Sequence, residues 1–233
     1  PEHTTLNFSA VSPTRGTYAA YVADFIEREV LSSGLWDGIF FETVWDGIFW
    51  LNRDVDIDGD GVRDGQEKTD KIWRDGHNLI FKMMRDRFGD KYLFIGNGVL
   101  EPYAKYLNGR MMEAFPDPTE GGWIGSIKRY FAIPTLGVKP TIAVFNADTK
   151  NTGDWRRWDL MRYGLANALL SDGYYSFDYG TLERDYLWWY DEYDVSLGKP
   201  SSFPARNILN GKSTPIEEGV WRRDFQHGLV LVN

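Results

Sequence analysis

Short apolar runs along this chain alternate with longer stretches in which apolar residues recur at helical spacing. The runs are Gly38–Phe41 ending on Glu42, Tyr92–Gly98, Gly109–Phe115, Pro140–Asn146 and Gly173–Phe177 ending on Asp178. They are rich in Ile, Val, Phe and Tyr, the composition of strands covered on both faces. Between them, Thr17–Leu31, Asp70–Phe88, Trp123–Phe131 and Trp155–Leu170 carry apolar residues near the 3.6 period of amphipathic helices. Tyr103–Leu107 reads as a short linking helix, Thr5–Phe8 as the end of a strand, and Leu229–Val232 as a last apolar strand. Strand and helix alternate at least four times, which predicts an α/β fold with a parallel sheet. Short, mostly apolar strands covered by helices suit a (β/α)8 TIM barrel. A closed barrel needs eight strands in about 250 residues, so the expectation is a barrel incomplete at the N-terminus.

The predicted strands end on polar residues: Glu42, Asn97, Glu113, Asn146 and Asp178. Parallel β/α enzymes build their sites at the C-terminal ends of strands. Asn97 and Asn146 have an alternative role as helix caps. Glutamate caps poorly, so Glu42 and Glu113 need another role; the competing one is a strand-end ion pair with Lys or Arg.

After Glu42 the chain repeats its own lead-in, Trp36-Asp37-Gly38-Ile39-Phe40 and then Trp45-Asp46-Gly47-Ile48-Phe49. It then enters an acidic string. Asp56 to Glu67 fits D-x-D-x-D-G-x5-E completely. In a calcium loop of that pattern Asp56, Asp58 and Asp60 give side-chain oxygens and Val62 its carbonyl. Asp64 acts through water and Glu67 through both carboxylate oxygens. Without a cation these carboxylates repel one another. No convincing helix precedes the loop, so the expectation is an isolated structural Ca2+ site (residues 56–67) beside the Glu42 strand. The alternative is a solvated acidic turn.

The 233 residues suffice for one domain with a sizeable core. A formal net charge of −8 argues against a nucleic-acid partner. No apolar run approaches the roughly 20 residues of a membrane span, so no membrane insertion is expected. The chain has no cysteine, hence no disulfide and no thiolate metal site. It begins on Pro1, which suggests a processed or trimmed N-terminus. The informative figure is 16% aromatic residues, ten of them Trp, clustered beside polar side chains. Indole and phenol rings stack on the C–H faces of sugars, whose hydroxyls need carboxylates, Asn and Arg.

A carbohydrate substrate calls for two carboxyl groups flanking the scissile bond. Glu42 as nucleophile and Glu113 as general acid/base are the expected pair, with Asp178 the competitor. Trp45, Asp46, Asn97, Asn146 and Asp178 would line the substrate subsite. The cluster Trp188-Trp189-Tyr190-Asp191-Glu192-Tyr193-Asp194 is either a second sugar contact or a packed loop. His77 falls in a predicted helix and reads as structural; three isolated histidines do not make a zinc site.

Taken together, GLWDGIFFETVWDGIFW, FIGNG, LNGRMMEAFP, RYGLANALLSDGYYSFD, WWYDEYDVSLGKP and VWRRDFQHGLVLVN resemble the hypothetical glycoside hydrolases, bacterial TIM barrels similar to α-galactosidase-like and polygalactosaminidase-like barrels. The resemblance runs from about Leu6 to Asn233. It implies that the strand ending at Asp178 is the eighth, that Glu42 ends the fourth and that Glu113 ends the sixth, the placement of nucleophile and acid/base in the α-galactosidase-like relatives. Those relatives usually carry Asp where this chain has Glu42. The resemblance further implies a catalytic domain over 1–228 and a C-terminal β-domain that starts at 229–233. The function expected is a retaining glycosidase acting on a poly- or oligosaccharide, extracellular or periplasmic, with its oligomeric state open. The alternative is a non-catalytic carbohydrate-binding barrel stabilised by calcium.

Overall fold

The computed structural model describes residues 8, 10–12, 16–51, 55–183, 185–201 and 205–233. Five strands form a parallel sheet in chain order: β1 (Gly38–Val44), β2 (Leu93–Gly98), β3 (Gly109–Met112), β4 (Ile142–Asp148) and β5 (Tyr174–Asp178). The helices are α1 (Tyr18–Phe25), α2 (Gly65–Phe88), α3 (Gly122–Leu136) and α4 (Trp158–Ala168). The α/β class and the parallel sheet expected from the pattern are both present.

Several boundaries differ from expectation. β3 stops at Met112, so Glu113 lies just past the strand. β4 runs two residues beyond Asn146, to Asp148. α2 starts at Gly65, inside the acidic string, because Gln66, Glu67 and Lys68 are good helix formers that the apolar pattern could not mark. In place of a helix at 103–107 there is one 3-10 turn, Glu101–Tyr103. Thr5 to Asn7, read as part of a strand, lie outside the described residues, and Phe8 is in a turn.

The chain forms two compact units, Pro1–Arg110 with Leu136–Thr141, and Met111–Thr135 with Ile142–Asn233. In the first, β1 and β2 pair with Gly38 beside Leu93 and Phe41 beside Gly96. A Cβ on Gly38 would stand 2.0 Å from the Leu93 carbonyl oxygen, so this approach requires glycine. The register shifts between Phe41 and Val44, the bend expected of a bulge. Thr17 caps α1 by accepting from the Ala20 amide at 3.1 Å. Trp73, His77, Ile80, Phe81 and Met84 form the buried stripe of α2, and Phe81 meets Phe41 edge-on at 5.0 Å. Buried Asn108 serves as a polar tie. It accepts from the Phe94 amide at 2.8 Å and donates to the Val138 and Pro140 carbonyls at 3.2 and 3.0 Å, so its burial leaves little unsatisfied.

In the second unit β4 and β5 pair with Asn146 beside Ser176 and Asp148 beside Asp178. Tyr130 of α3 packs on Phe145 at 4.4 Å and donates to the Ala168 carbonyl at the end of α4. A three-stranded antiparallel sheet follows: β6 (Arg206–Asn207), β7 (Trp221–Phe225) and β8 (Gly228–Val232), with β7 in the middle. Arg223 of β7 is 1% exposed. It donates to the carbonyls of Leu169 (3.1 Å) and Ser171 and pairs with Asp172 at 2.6 Å. A buried cation thus meets carbonyls left over at the C-terminus of α4, where the helix dipole favours positive charge.

Candidate active site

Four non-glycine residues among those described take positive φ: Thr43 (61°), Ala114 (54°), Lys150 (56°) and Asn151 (62°). All four follow a strand-end carboxylate by one to three residues: Glu42, Glu113 or Asp148. Asn97 and Asp178 are followed by glycines at positive φ, Gly98 (144°) and Gly180 (130°). L-residues avoid this region at a cost of about 1 kcal/mol or more, and such strain collects at functional sites. Positive φ thus recurs at or just past the last residues of every strand in the parallel sheet.

In the first unit Glu42 is exposed, and the Asn97 amide donates to its Oε2 at 3.2 Å and Oε1 at 3.5 Å. Thr43 then carries the chain into the Trp45 loop, which one face of α2 holds. Asp70 accepts from the amides of Ile48 and Phe49 at 2.8 and 2.9 Å. The Trp73 indole donates to the Trp45 carbonyl at 3.1 Å, and Tyr103 donates to the same oxygen at 2.7 Å. Arg74 donates to the Asp46 carbonyl at 2.8 Å and sits 3.4 Å from its carboxylate. Asp70, Trp73, Arg74 and His77 are spaced i, i+3, i+4, i+7, one helical face. A Cβ on Gly47 would meet the Asp70 carboxyl at 2.3 Å, so the loop fits α2 because that position is glycine. Trp45 stands edge-on to Trp50 at 4.9 Å, and Trp50 is 62% exposed. His77 is buried among Phe8, Trp73, Phe81 and Tyr103. Its Nδ1 lies 3.1 Å from the Trp73 carbonyl, and burial pushes its pKa down.

In the second unit Glu113, Asp117, Asn146, Asp148, Asp178 and Thr181 line one pocket of about 210 Å³. Asn146 is buried and donates to Asp178 Oδ2 at 2.8 Å and to Ser176 at 3.0 Å. It thus acts as an orienting amide for a carboxylate rather than as a helix cap. The Phe115 amide donates to the Asn146 carbonyl at 2.9 Å, which fastens the Glu113 turn to β4. Asp117 is a cap, accepting from the Thr119 amide at 2.8 Å.

In the acidic loop Asp56, Asp58 and Asp64 bring carboxylate oxygens within 4.8 Å of one another. Asp56 accepts from the amides of Gly59, Asp60 and Gly61 at 2.7, 3.0 and 2.7 Å. Asp64 accepts from Ile57 at 2.7 Å and Asp60 from Val62 at 2.8 Å. Glu67 lies in the first turn of α2 and is exposed. Lys68 places its ammonium 2.5 Å from Asp64, 2.7 Å from Asp58 and 3.3 Å from Asp60. The Lys68 contact holds the Asp64 carboxyl below its ordinary range, and these carboxylates push the lysine up.

Residues 1–229 match the model of a family described as hypothetical glycosyl hydrolase family 15. The chain belongs to that family. No curated protein matches it. Membership in hypothetical glycosyl hydrolase family 15 agrees with the expected class, a glycoside hydrolase with a carbohydrate substrate, and does not extend to the α-galactosidase-like detail. Among the described residues no helix is long and apolar enough to cross a membrane.

For a member of hypothetical glycosyl hydrolase family 15, the pocket carboxylates are the residues of first interest, and sequence reasoning missed Asp148. The polar–apolar pattern ended β4 at Asn146, two residues short of Asp148. The available signal was period two: Asn146 and Asp148 share one face of the strand. The Trp188–Asp194 cluster, for which two roles were open, is part packed and part exposed: Trp189 is 72% exposed, and Asp191 and Asp194 are exposed. Buried Tyr190 joins Ala147, Met161 and Phe177 with Trp188 and Tyr193 beside them, and Glu192 pairs with Arg162 at 2.6 Å.

Proposed function

We propose that the chain hydrolyses a glycosidic bond of a poly- or oligosaccharide using carboxylates at the C-terminal ends of parallel strands. The observation that carries this is the pocket where Glu113 and Asp178 stand with Asn146 and Asp148; the family supports it as a class. Glu113 is the proposed general acid/base. It protonates the departing glycosidic oxygen while a second carboxylate attacks the anomeric carbon, and it then deprotonates the water that releases the sugar, with retention. Asp178 serves as that nucleophile, because it shares the pocket and the Asn146 amide steadies its negative charge. Glu42, held by Asn97, is the other candidate nucleophile. Trp45, Asp46 and Asn97 are proposed sugar contacts, and Asn146 orients the second carboxylate. At about 210 Å³ the pocket is below the roughly 300–1,000 Å³ of drug-sized ligand sites, a size for a single sugar ring.

The scaffold proposed is a (β/α)8 barrel in a secreted or periplasmic bacterial enzyme. The loop 56–67 is proposed to bind structural Ca2+ through Asp56, Asp58, Asp60, Asp64, the Val62 carbonyl and Glu67. Three converging carboxylates supply the hard oxygen donors calcium prefers, and Gly59 and Gly61 at φ 79° and 88° allow the tight turn. Lys68 stands against the same oxygens and competes with the ion.

The test is turnover of 4-nitrophenyl glycosides and of a polysaccharide panel by wild type, Glu113→Gln, Asp178→Asn and Glu42→Gln. Glu113→Gln and one of the other two are expected to lose at least 1,000-fold in kcat without loss of fold. The variant that loses activity with Glu113→Gln identifies the nucleophile, and the anomer released, read by NMR, decides between retention and inversion. Full activity in Glu113→Gln contradicts the assignment.

A further inference from the structure

Asp148 was absent from the sequence expectations, yet it is the most enclosed carboxylate of the pocket, at 8% exposure. Its Oδ1 accepts from the Lys150 amide at 2.6 Å and lies 3.8 Å from the Lys150 ammonium. Among the described residues no donor lies within hydrogen-bond reach of its Oδ2. That oxygen is open to the pocket rather than sealed in the interior, and an ionised carboxylate only accepts. An acceptor kept this way on a pocket wall calls for a donor brought by a ligand.

The surrounding backbone fixes the carboxylate in place. Asp148 is the register partner of Asp178 on the neighbouring parallel strand, a strand spacing of about 4.8 Å. Beyond it Lys150 and Asn151 both take left-handed φ, 56° and 62°. The turn is stitched to the loop after β5: the Thr149 and Asn151 amides donate to the carbonyls of Asp178 and Tyr179, each at 3.1 Å. Asn151 Oδ1 also accepts from the Leu182 amide at 3.0 Å. Strain held this firmly beside a pocket is pre-organisation, since little has to move on binding.

A carboxylate oxygen is met either by a metal cation or by a hydroxyl donor. Among the described residues only Asp56, Asp58 and Asp64 form a trio of acidic side chains with oxygens within 4.8 Å of one another. Glu113, Asp148 and Asp178 therefore do not converge on one point. Carboxylates spread around a wall suit the separate hydroxyls of a polyol ring.

We propose that Asp148 is a substrate-binding residue whose Oδ2 accepts from ring hydroxyls of the sugar in the pocket, and that it sets which hydroxyl configuration is taken. This rests on the glycosidase reading for the nature of the ligand. Asp148→Asn is the informative variant, because its Oδ1 still accepts from the Lys150 amide and keeps the turn, while its NH2 replaces the free acceptor. Two readouts separate this proposal from the hydrolase itself. The first is kinetics on the best substrate of the 4-nitrophenyl glycoside panel. Asp148→Asn is expected to raise KM at least tenfold with kcat changed less than threefold, whereas Glu113→Gln lowers kcat. The second is an NMR titration with D-glucose, D-galactose, D-mannose and N-acetyl-D-galactosamine, following the Lys150 amide. At least one sugar is expected to shift that signal in wild type, and the shift is lost in Asp148→Asn.

If wild type shows no turnover but a sugar shifts Lys150 in an Asp148-dependent way, the binding role stands and the hydrolase falls. KM and kcat within twofold of wild type in Asp148→Asn, a large fall in kcat at constant KM, or no sugar response at Lys150 overturns the proposal.

Discussion

His77 and Lys68 show how single side chains in this protein respond to their surroundings in opposite ways. His77 is buried among aromatic rings, and burial pushes its pKa below the ordinary histidine value. The unfolded chain therefore binds a proton more readily than the folded one. The stabilisation is complete above the unfolded value of about 6.5 and is lost as pH falls through the lower folded value. Melting followed from pH 7.5 to 5 should show stability declining below about pH 6.5, with a shallower decline in His77→Gln. An equal slope in both proteins would remove His77 as the source. Lys68 gains partners instead. Its ammonium faces Asp58, Asp60 and Asp64, which raise its pKa, and it lowers that of Asp64. The Asp64 contribution is present above the unfolded carboxylate value and is lost as pH falls through the lowered one. The Lys68 contribution persists until pH rises through its raised value. Without metal, Lys68→Met should lower Tm because the carboxylates then repel unscreened. With saturating Ca2+ it should bind the ion more tightly than wild type. Calorimetric titration checks this, and unchanged calcium affinity contradicts the competition.

At the scale of elements, α2 links the two sequence features that looked independent. Its first turn contains Glu67 of the acidic loop, and its Asp70–Trp73–Arg74–His77 face holds the Trp45 loop. Asp70 satisfies two amides at once, so Asp70→Ala leaves both without their partner, at about 1–3 kcal/mol. Hydrogen exchange at Ile48 and Phe49 should quicken at least tenfold in Asp70→Ala, with exchange in β5 unchanged. Equal exchange at both amides would mean the loop holds itself. These contacts join residues 21 to 28 positions apart, which is why no local pattern revealed them. The strands were easier. All five parallel strands were legible as apolar runs, because a covered strand has few polar residues to obscure it. Their ends were less legible. Glu113 fell one residue past its strand and Asp148 two residues past the expected end, since strand termini are set by pairing partners and turn strain rather than by composition.

Across the whole molecule, composition limited the function more than it specified it. A net charge of −8 and 16% aromatic residues pointed away from nucleic acid and towards carbohydrate, in accord with the glycosyl hydrolase family that spans residues 1–229. The candidate site was half legible. Asn97, Glu113 and Asp178 sit at or beside parallel-strand ends, as their sequence positions suggested, whereas Glu42 and Asn146 lie two residues before the ends of β1 and β4. What the sequence could not convey is that Asn146 points its amide at Asp178 and that Asp148 joins the pocket, because both depend on the register of β4 against β5. The central claim is that Glu113 performs acid/base chemistry on a glycosidic bond. Its most direct test is kcat/KM, which reports the step that expels the leaving group, of Glu113→Gln on an aryl glycoside with a poor leaving group and one with a good leaving group, with wild type beside it. Acid/base catalysis by Glu113 predicts a loss of at least 1,000-fold on the poor leaving group and a much smaller loss on the good one, whose departure needs no proton. Equal losses on both substrates, or none, would contradict it.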